Sequence, residues 1–586
     1  MKRSLALLAV LLTASIDAPG SAGADRPNVI VVITDDQGYG DLSCHGNPVL
    51  ETPHLDRLHD ESIRLTDFHV APMCTPTRGQ LMTGVDCLRN GAMNVSSGRT
   101  LLRRGIPTLA DAFAAADYAT GHFGKWHLGD NYPYRPQDRG FDESLWFPSS
   151  HIGSAPDFWN NDYFDDVYSH SGERRPYKGY CTDVFFREAL TWMKARAEGD
   201  RPFLCYIATN APHGPLFVPA EYRERYEAKG MGPNIARFFG MIANIDDNIG
   251  RLDGFLRASG LAENTVLVFL TDNGGTVGVS AFNAGMRGHK VDLYEGGHRV
   301  PCFIRWPAGG LRDPGDVDEL TQVQDLMPTL LDLCGIAKPA AATFDGISLA
   351  PLLQGTTDTL PDRMLMIQFS RMNGPEPQKD DACILWNRWR LVGGKELFDL
   401  AADPDQQANV IAENSKVAES MQKEYDRWWG EVAPRVNEHE SIVVGSAAEN
   451  PLTLSPSDWE DVFLDQGRQI RMGLARNGAW NIEVAQAGDY EITLRRWPDE
   501  ADAPIRAGLP PVEHADGEFL AGVALPAHTA RLQVGEFDAR QAIGETDEGV
   551  NFSVSLPAGP TELKATLLDK SDHEIAGAYF VTVRRR

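Results

Sequence analysis

Long apolar stretches are missing from the interior of this chain. None of its 586 residues lies in an internal run reaching the ~18 apolar residues of a membrane-crossing helix, so no membrane span is expected. Basic residues are few beside acidic ones: 55 Lys and Arg against 82 Asp and Glu, a formal net charge of −27. That balance argues against nucleic acid as a partner, because neutralising phosphates takes clustered Lys and Arg. It also requires any anionic substrate to be drawn in by a local basic pocket. Cysteine is sparse and scattered, at positions 44, 74, 87, 181, 205, 302, 334 and 383. This spacing fits neither a small disulfide scaffold nor a C-x-x-C zinc site, and buried thiols are the default reading for most of them. The hydrolase and nucleotide signatures G-x-S-x-G, H-E-x-x-H and G-x-x-x-x-G-K-[ST] do not occur.

What is present begins with an export signal. Lys2 and Arg3 precede the apolar run 5–12, and Ala22-Gly23-Ala24 offers a small-residue cleavage site. Residues 1–24 are therefore expected to be a signal peptide, with the product periplasmic or secreted. Three β-branched or apolar runs follow: 28–34 (NVIVVIT), 203–209 (FLCYIAT) and 265–271 (TVLVFLT). Continuous runs of this length fit strands buried on both faces of a parallel sheet. Helix-like stretches at 108–116, 183–197 and 234–259 lie between them, so an α/β sandwich with helices on both sides is predicted for residues 25–360. Residues 361–435 read as a smaller α+β subdomain, with strand-like pieces at 383–392 and 396–400 and then a helix through Trp428-Trp429. Beyond residue 436 short strand and turn signals repeat, at 462–464, 480–484, 489–494, 522–525, 529–534, 550–554, 562–568 and 576–583, and predict an accessory β-sandwich over 436–586.

The three runs of the first domain end in polar residues: Asp35-Asp36, Asn210-Ala211-Pro212-His213 and Asp272-Asn273-Gly274. Ligands in open α/β sheets collect outside the carboxyl ends of strands, so these tips are expected to converge. Asp35, Asp36, Asp272 and Asn273 form an all-oxygen set of the kind hard divalent cations prefer. An EF-hand is excluded, since neither acid pair has the D-x-[DN]-x-[DN]-G spacing. Four further blocks stand out. Residues 73–84 (MCTPTRGQLMTG) contain Cys74-x-Pro76-x-Arg78; residues 118–129 (YATGHFGKWHLG) contain Lys125 and His127; residues 210–215 (NAPHGP) contain His213; and residues 287–301 run from Arg287-Gly288-His289-Lys290 to Pro301.

Taken together and in this order, the blocks resemble those of the type I, formylglycine-dependent sulfatases, arylsulfatase-like members of the alkaline phosphatase superfamily. The resemblance covers roughly residues 27–430, including 396–409 (ELFDLAADPDQQAN); it departs at Asp117, where a glycine is usual. It implies a large, mostly parallel sheet and hydrolysis of sulfate esters, with a sulfated saccharide or an aryl sulfate as substrate. It also implies that a formylglycine-generating enzyme converts Cys74 into an aldehyde whose hydrate attacks sulfur. A thiol in that role would leave a thiosulfate ester with no easy exit, whereas a second hydroxyl on the same carbon can expel sulfate. In the family Asp35, Asp36, Asp272, Asn273 and residue 74 would hold the metal, calcium or alternatively magnesium. Lys125 and Lys290 would bind sulfate with Arg78, His127 would take the proton when sulfate leaves, and His213 would protonate the departing alcohol. Two other readings compete. A phosphate or phosphonate monoester hydrolase shares the fold, but commonly uses Ser or Thr with two zinc ions and extra His ligands. A degenerate binding protein with a carbohydrate-recognising tail is disfavoured because every catalytic position is filled. The aromatics of 131–180, Tyr132, Tyr134, Trp146, Phe147, His151, Trp159 and Tyr163, are the sequence's candidates for the leaving-group pocket.

Overall fold

The computed structural model describes residues 26–370 and 376–586. The expected signal peptide, 1–24, lies outside the described residues. The centre is a ten-stranded sheet in the order Gly315–Val317, Ile63–Leu65, Cys302–Arg305, Thr265–Thr271, Asn28–Thr34, Phe203–Ala208, Ala119–Lys125, Glu143–Phe147, Val167–His170 and Glu173–Pro176. The five strands from Thr265–Thr271 to Glu143–Phe147 are mutually parallel, and antiparallel strands extend both edges. Strand Asn28–Thr34 shows why a continuous apolar run is needed. Val29, Val31 and Ile33 face one core, Ile30 and Val32 the other, and all five are fully buried. Helices Leu109–Ala115, Cys181–Arg196 and Pro233–Ala258 lie where the sequence predicts them, the first closed by a capping box between Thr108 and Asp111. Among the described residues no helix is long and apolar enough to cross a membrane.

Register positions the chemistry. Thr34 pairs with Thr271 and Ile33 with Ala208, so Asp35, Asp272 and the 209–213 segment leave adjacent strand ends at one level. Beside this sheet, a four-stranded antiparallel sheet packs on helix Ser415–Val432. Its strands Ala382–Trp386 and Trp389–Val392 correct the single strand expected at 383–392. Asn387, at φ 47°, turns the chain tightly and makes two hairpin strands of one run.

After residue 436 two antiparallel-rich sheets face each other. One contains Ile442–Val444, Ala479–Val484, Gly559–Leu568, Thr529–Val534 and Phe537–Ala542; the other contains Leu452–Leu454, Phe580–Arg585, Gly488–Arg495 and Val550–Leu556. Trp480, Ile492, Leu532, Phe552 and Val583 meet in the core they share. Residues 522–525 are not a strand, since only Gly522 forms an isolated bridge, to Leu509. Residues 462–464 are not one either. Their apolar side chains are used, but the backbone leaves the sandwich and lies against the region built on the ten-stranded sheet, where Asp461 N–H donates to Ser97 O and Ala155 N–H to Asp465 O.

Candidate active site

Helix Cys74–Thr83 begins at Cys74 and buries all ten of its residues. Pro76 sits in the first turn, where a missing N–H breaks no intrahelical bond. Cys74 thus occupies the positive end of a helix, and Arg78 lies about one turn further on. Arg78 donates from Nε and Nη2 to Asp272 Oδ2 at 3.0 and 2.8 Å, and from Nη1 to Lys125 O at 3.3 Å. Lys125 Nζ donates to Asp35 Oδ2 at 2.7 Å, both side chains fully buried. Lys290 Nζ donates to Asp36 Oδ1. Three cations are therefore matched one to one with three carboxylates.

Within this cluster oxygens are left over. Asp35 Oδ1 and Asn273 Oδ1 are buried without a hydrogen-bond partner, while Asn273 Nδ2 donates to Asp36 Oδ1 at 3.0 Å. Ligand atoms of Asp35, Cys74 and Asp272 lie within 4.8 Å of one another. Burial, then the neighbouring charges of Asp272 and Asp36, push the Asp35 carboxyl well above its ordinary range. Burial acts the same way on Asp36, but Lys290 and His213 outweigh it and hold that carboxyl low. Crowded carboxylates with orphaned oxygens in a dry site are the arrangement a hard divalent cation relieves, and the residues present fit one. A second cluster, His69, Glu295 and His298, also has metal-ligand spacing. There Arg390 bridges Glu295 at 2.7 Å and Asp67 at 2.8 Å and already supplies the positive charge.

His127 stands at φ 61°, with Nδ1 3.6 Å from Cys74 Sγ and Nε2 3.0 Å from Val95 O. The Val95 carbonyl fixes the Nε2–H tautomer and leaves the Nδ1 lone pair facing residue 74. Burial and then Lys125 push the His127 pKa well below the usual value, so the ring is neutral. His213 reaches Asp36 Oδ2 from Nε2 at 3.8 Å, and its ring stacks on His151 with centroids 5.0 Å apart. Burial lowers its pKa to about 4, against the opposing pull of Asp36.

Above Cys74 lies a cavity of about 470 Å³ whose lining includes His151, His213, Lys290, Phe463 and Asp465. Cys74, His213 and Lys290 face it; Asp35, Asp272, Asn273, Arg78 and Lys125 are buried. The aromatic segment behaves differently from expectation. Tyr134, Trp146, Phe147 and Tyr163 are core residues, and of the seven candidates only His151 lines this cavity. Sequence reasoning also missed Val95, whose role is carried by its backbone, and Phe463 and Asp465, which carry no motif.

Residues 27–336 match the family described as Sulfatase, and residues 289–428 match the C-terminal region of N-sulphoglucosamine sulphohydrolase. Over 378 residues the chain is 31% identical to the N-acetylgalactosamine-6-sulfatase of Canis lupus familiaris, covering 59% of this chain and 70% of that one. It is 34% identical over 372 residues to arylsulfatase A of Homo sapiens, covering 58% and 70%. The solved structure of Ps i-CgsB in complex with k-i-k-neocarrahexaose aligns with a TM-score of 0.63 at 25% identity, covering 69% of this chain and 92% of that chain. Fold and matches together define a sulfatase-type hydrolase on an alkaline-phosphatase-like sheet. The chain belongs to the sulfatase family.

Proposed function

We propose that this enzyme hydrolyses sulfate esters through a formylglycine hydrate made from Cys74, with a divalent cation, calcium before magnesium, held by Asp35, Asp36, Asp272 and Asn273. The observation that carries this reading is the approach of His127 Nδ1 to Cys74 Sγ at 3.6 Å, beside three carboxylate–cation pairs. Here Sγ stands in for the oxygens that the aldehyde hydrate would place on the same carbon. One hydroxyl attacks sulfur, the ester alcohol leaves with a proton from His213, and His127 takes the proton of the second hydroxyl as sulfate departs. An anionic ester beside His213 supplies the negative charge that raises its pKa toward that of a useful acid. The cation, when bound, engages the carboxylates and polarises the attacking oxygen. Lys290, which lines the cavity, would meet the sulfuryl oxygens, and Arg78 and Lys125, held behind it by Asp272 and Asp35, would add positive charge on the same side, where preorganised charge counts most.

The likeness to the canine N-acetylgalactosamine-6-sulfatase and the oligosaccharide bound to Ps i-CgsB support a sulfated saccharide as substrate. The Lys2–Ala24 signal supports action after export, in the periplasm or outside the cell, with a formylglycine-generating enzyme as the maturation partner. All-oxygen ligands, with no histidine among them, favour this chemistry over that of a two-zinc phosphatase. Mass spectrometry of the Cys74 peptide, paired with rates on sulfate and phosphate esters of one alcohol, tests the reading. Aldehyde at position 74 and faster sulfate hydrolysis are expected; a thiol in fully active protein from its native host overturns it.

A further inference from the structure

The cavity over Cys74 has a wall that neither family match reaches. Those matches end at residue 428, yet Phe463, Asp465 and Gln466 line the cavity together with Cys74, His213 and Lys290. Residues 459–471 bring them there, and the crossing is tied down by backbone. Ala155 N–H donates to Asp465 O at 2.7 Å, Gly467 N–H to Gly153 O at 3.3 Å and Asp461 N–H to Ser97 O at 3.1 Å. The Asp465 carboxylate is 5% exposed and accepts from Ser150 Oγ at 2.6 Å, Ser149 Oγ at 3.0 Å and Ser457 Oγ at 3.4 Å. Ser150 Oγ also lies 2.8 Å from His151 Nδ1, whose ring stacks on His213. A second contact joins the C-terminal region to the segment that follows His213. His514 and Phe519 of the hairpin 512–519 pack on Phe217, and Asp516 between them binds Arg223 and Arg237.

We propose that the C-terminal β-rich region is a working part of the active site, in which Phe463 and Asp465 form a leaving-group subsite for a neutral, hydroxyl-rich alcohol. This rests on the sulfatase reading above. The half-buried Phe463 ring offers an apolar face to the C–H face of a sugar. A carboxylate accepts at about four positions, and three serine hydroxyls leave Asp465 room for one substrate hydroxyl. Its charge also disfavours a second anionic group on the leaving sugar. A volume near 470 Å³ falls in the lower half of the roughly 300–1,000 Å³ common for small-molecule sites, so the subsite takes a saccharide end rather than a chain passing through.

The test uses full-length protein with formylglycine quantified, comparing wild type, Asp465→Asn and Phe463→Ala. Substrates are 4-nitrophenyl sulfate, glucosamine 2-N,6-O-disulfate and a panel of singly sulfated monosaccharides that includes N-acetylgalactosamine 6-sulfate. In each variant the ratio of kcat/KM on the best singly sulfated sugar to kcat/KM on 4-nitrophenyl sulfate is expected to fall about tenfold, mostly through KM. Asp465→Asn is further expected to shrink the wild type's preference for one sulfate over two. Thermal unfolding checks that both variants fold; Asp465→Asn keeps the side-chain shape should Phe463→Ala loosen the loop. An unchanged ratio, or a wild type that accepts 4-nitrophenyl sulfate but no sugar sulfate, overturns the subsite and leaves the sulfatase reading standing. Absence of hydrolysis on every sulfate ester overturns that reading itself.

Discussion

Arg78 holds Asp272 by two nitrogens on a single oxygen, Oδ2, and this leaves Oδ1 to accept the Asp36 N–H at 3.2 Å. One guanidinium thereby fixes the direction of a carboxylate that the proposed cation shares. Arg78→Lys keeps the charge but cannot make the fork. The expected result is a loss of about 100-fold in kcat and about 1–3 kcal/mol in unfolding free energy, read by steady-state kinetics and chemical denaturation.

Lys125 and Asp35 form an ion pair from which water is fully excluded. Lys125→Met strands the carboxylate and is expected to cost about 3–5 kcal/mol of stability. The double variant Lys125→Met, Asp35→Asn removes the stranded charge and should recover part of that loss. Urea unfolding of the four members of this cycle decides it; a double variant no more stable than Lys125→Met would mean the two groups are not coupled.

The orphaned oxygens of Asp35 and Asn273 set an expectation for calcium. Chelation should lower the thermal unfolding midpoint, and calcium at 100 times its Kd should restore about 2.7 kcal/mol. Asn273→Leu removes one of those oxygens and should weaken binding, seen directly by calorimetric titration.

His122 lies fully buried, its Nε2 3.2 Å from Lys125 O and its ring stacked on Tyr206. Burial lowers its pKa to about 3. An unfolded chain protonates this ring near 6.5, so between those values the unfolded state binds more protons and unfolding free energy rises with pH. Stability from this group is full above pH 6.5 and is lost as pH falls toward 3. His122→Gln should flatten the stability–pH slope in that window by about 1.4 kcal/mol per unit, measured by denaturation at several pH values.

Much of the fold is legible in the residues. Asn28–Thr34 and Thr265–Thr271 announce themselves because strands covered on both faces have no polar alternation to hide them. Ala119–Lys125 does not, although it is buried throughout. Its sequence, ATGHFGK, is dictated by close packing: a Cβ on Gly124, at φ 113°, would stand 1.9 Å from Ala208 O. The acids, Cys74, Lys125, His127, His213 and Lys290 stand out in the sequence as motifs, and the structure brings them into one cluster. The wall of the cavity is not. Phe463 and Asp465 act through where a distant loop lands, and neither periodicity nor spacing records that.

The burial of Cys74 and its helix also bears on how the enzyme comes into being. If residue 74 is oxidised as proposed, a maturing enzyme finds nothing to grip on the finished fold, and the conversion becomes a race against closure. At roughly 5–20 residues per second, the ribosome makes Phe463 roughly 20–80 s after Cys74. On that proposal, the late synthesis of the cavity wall would leave an interval for the conversion while the chain is still being made.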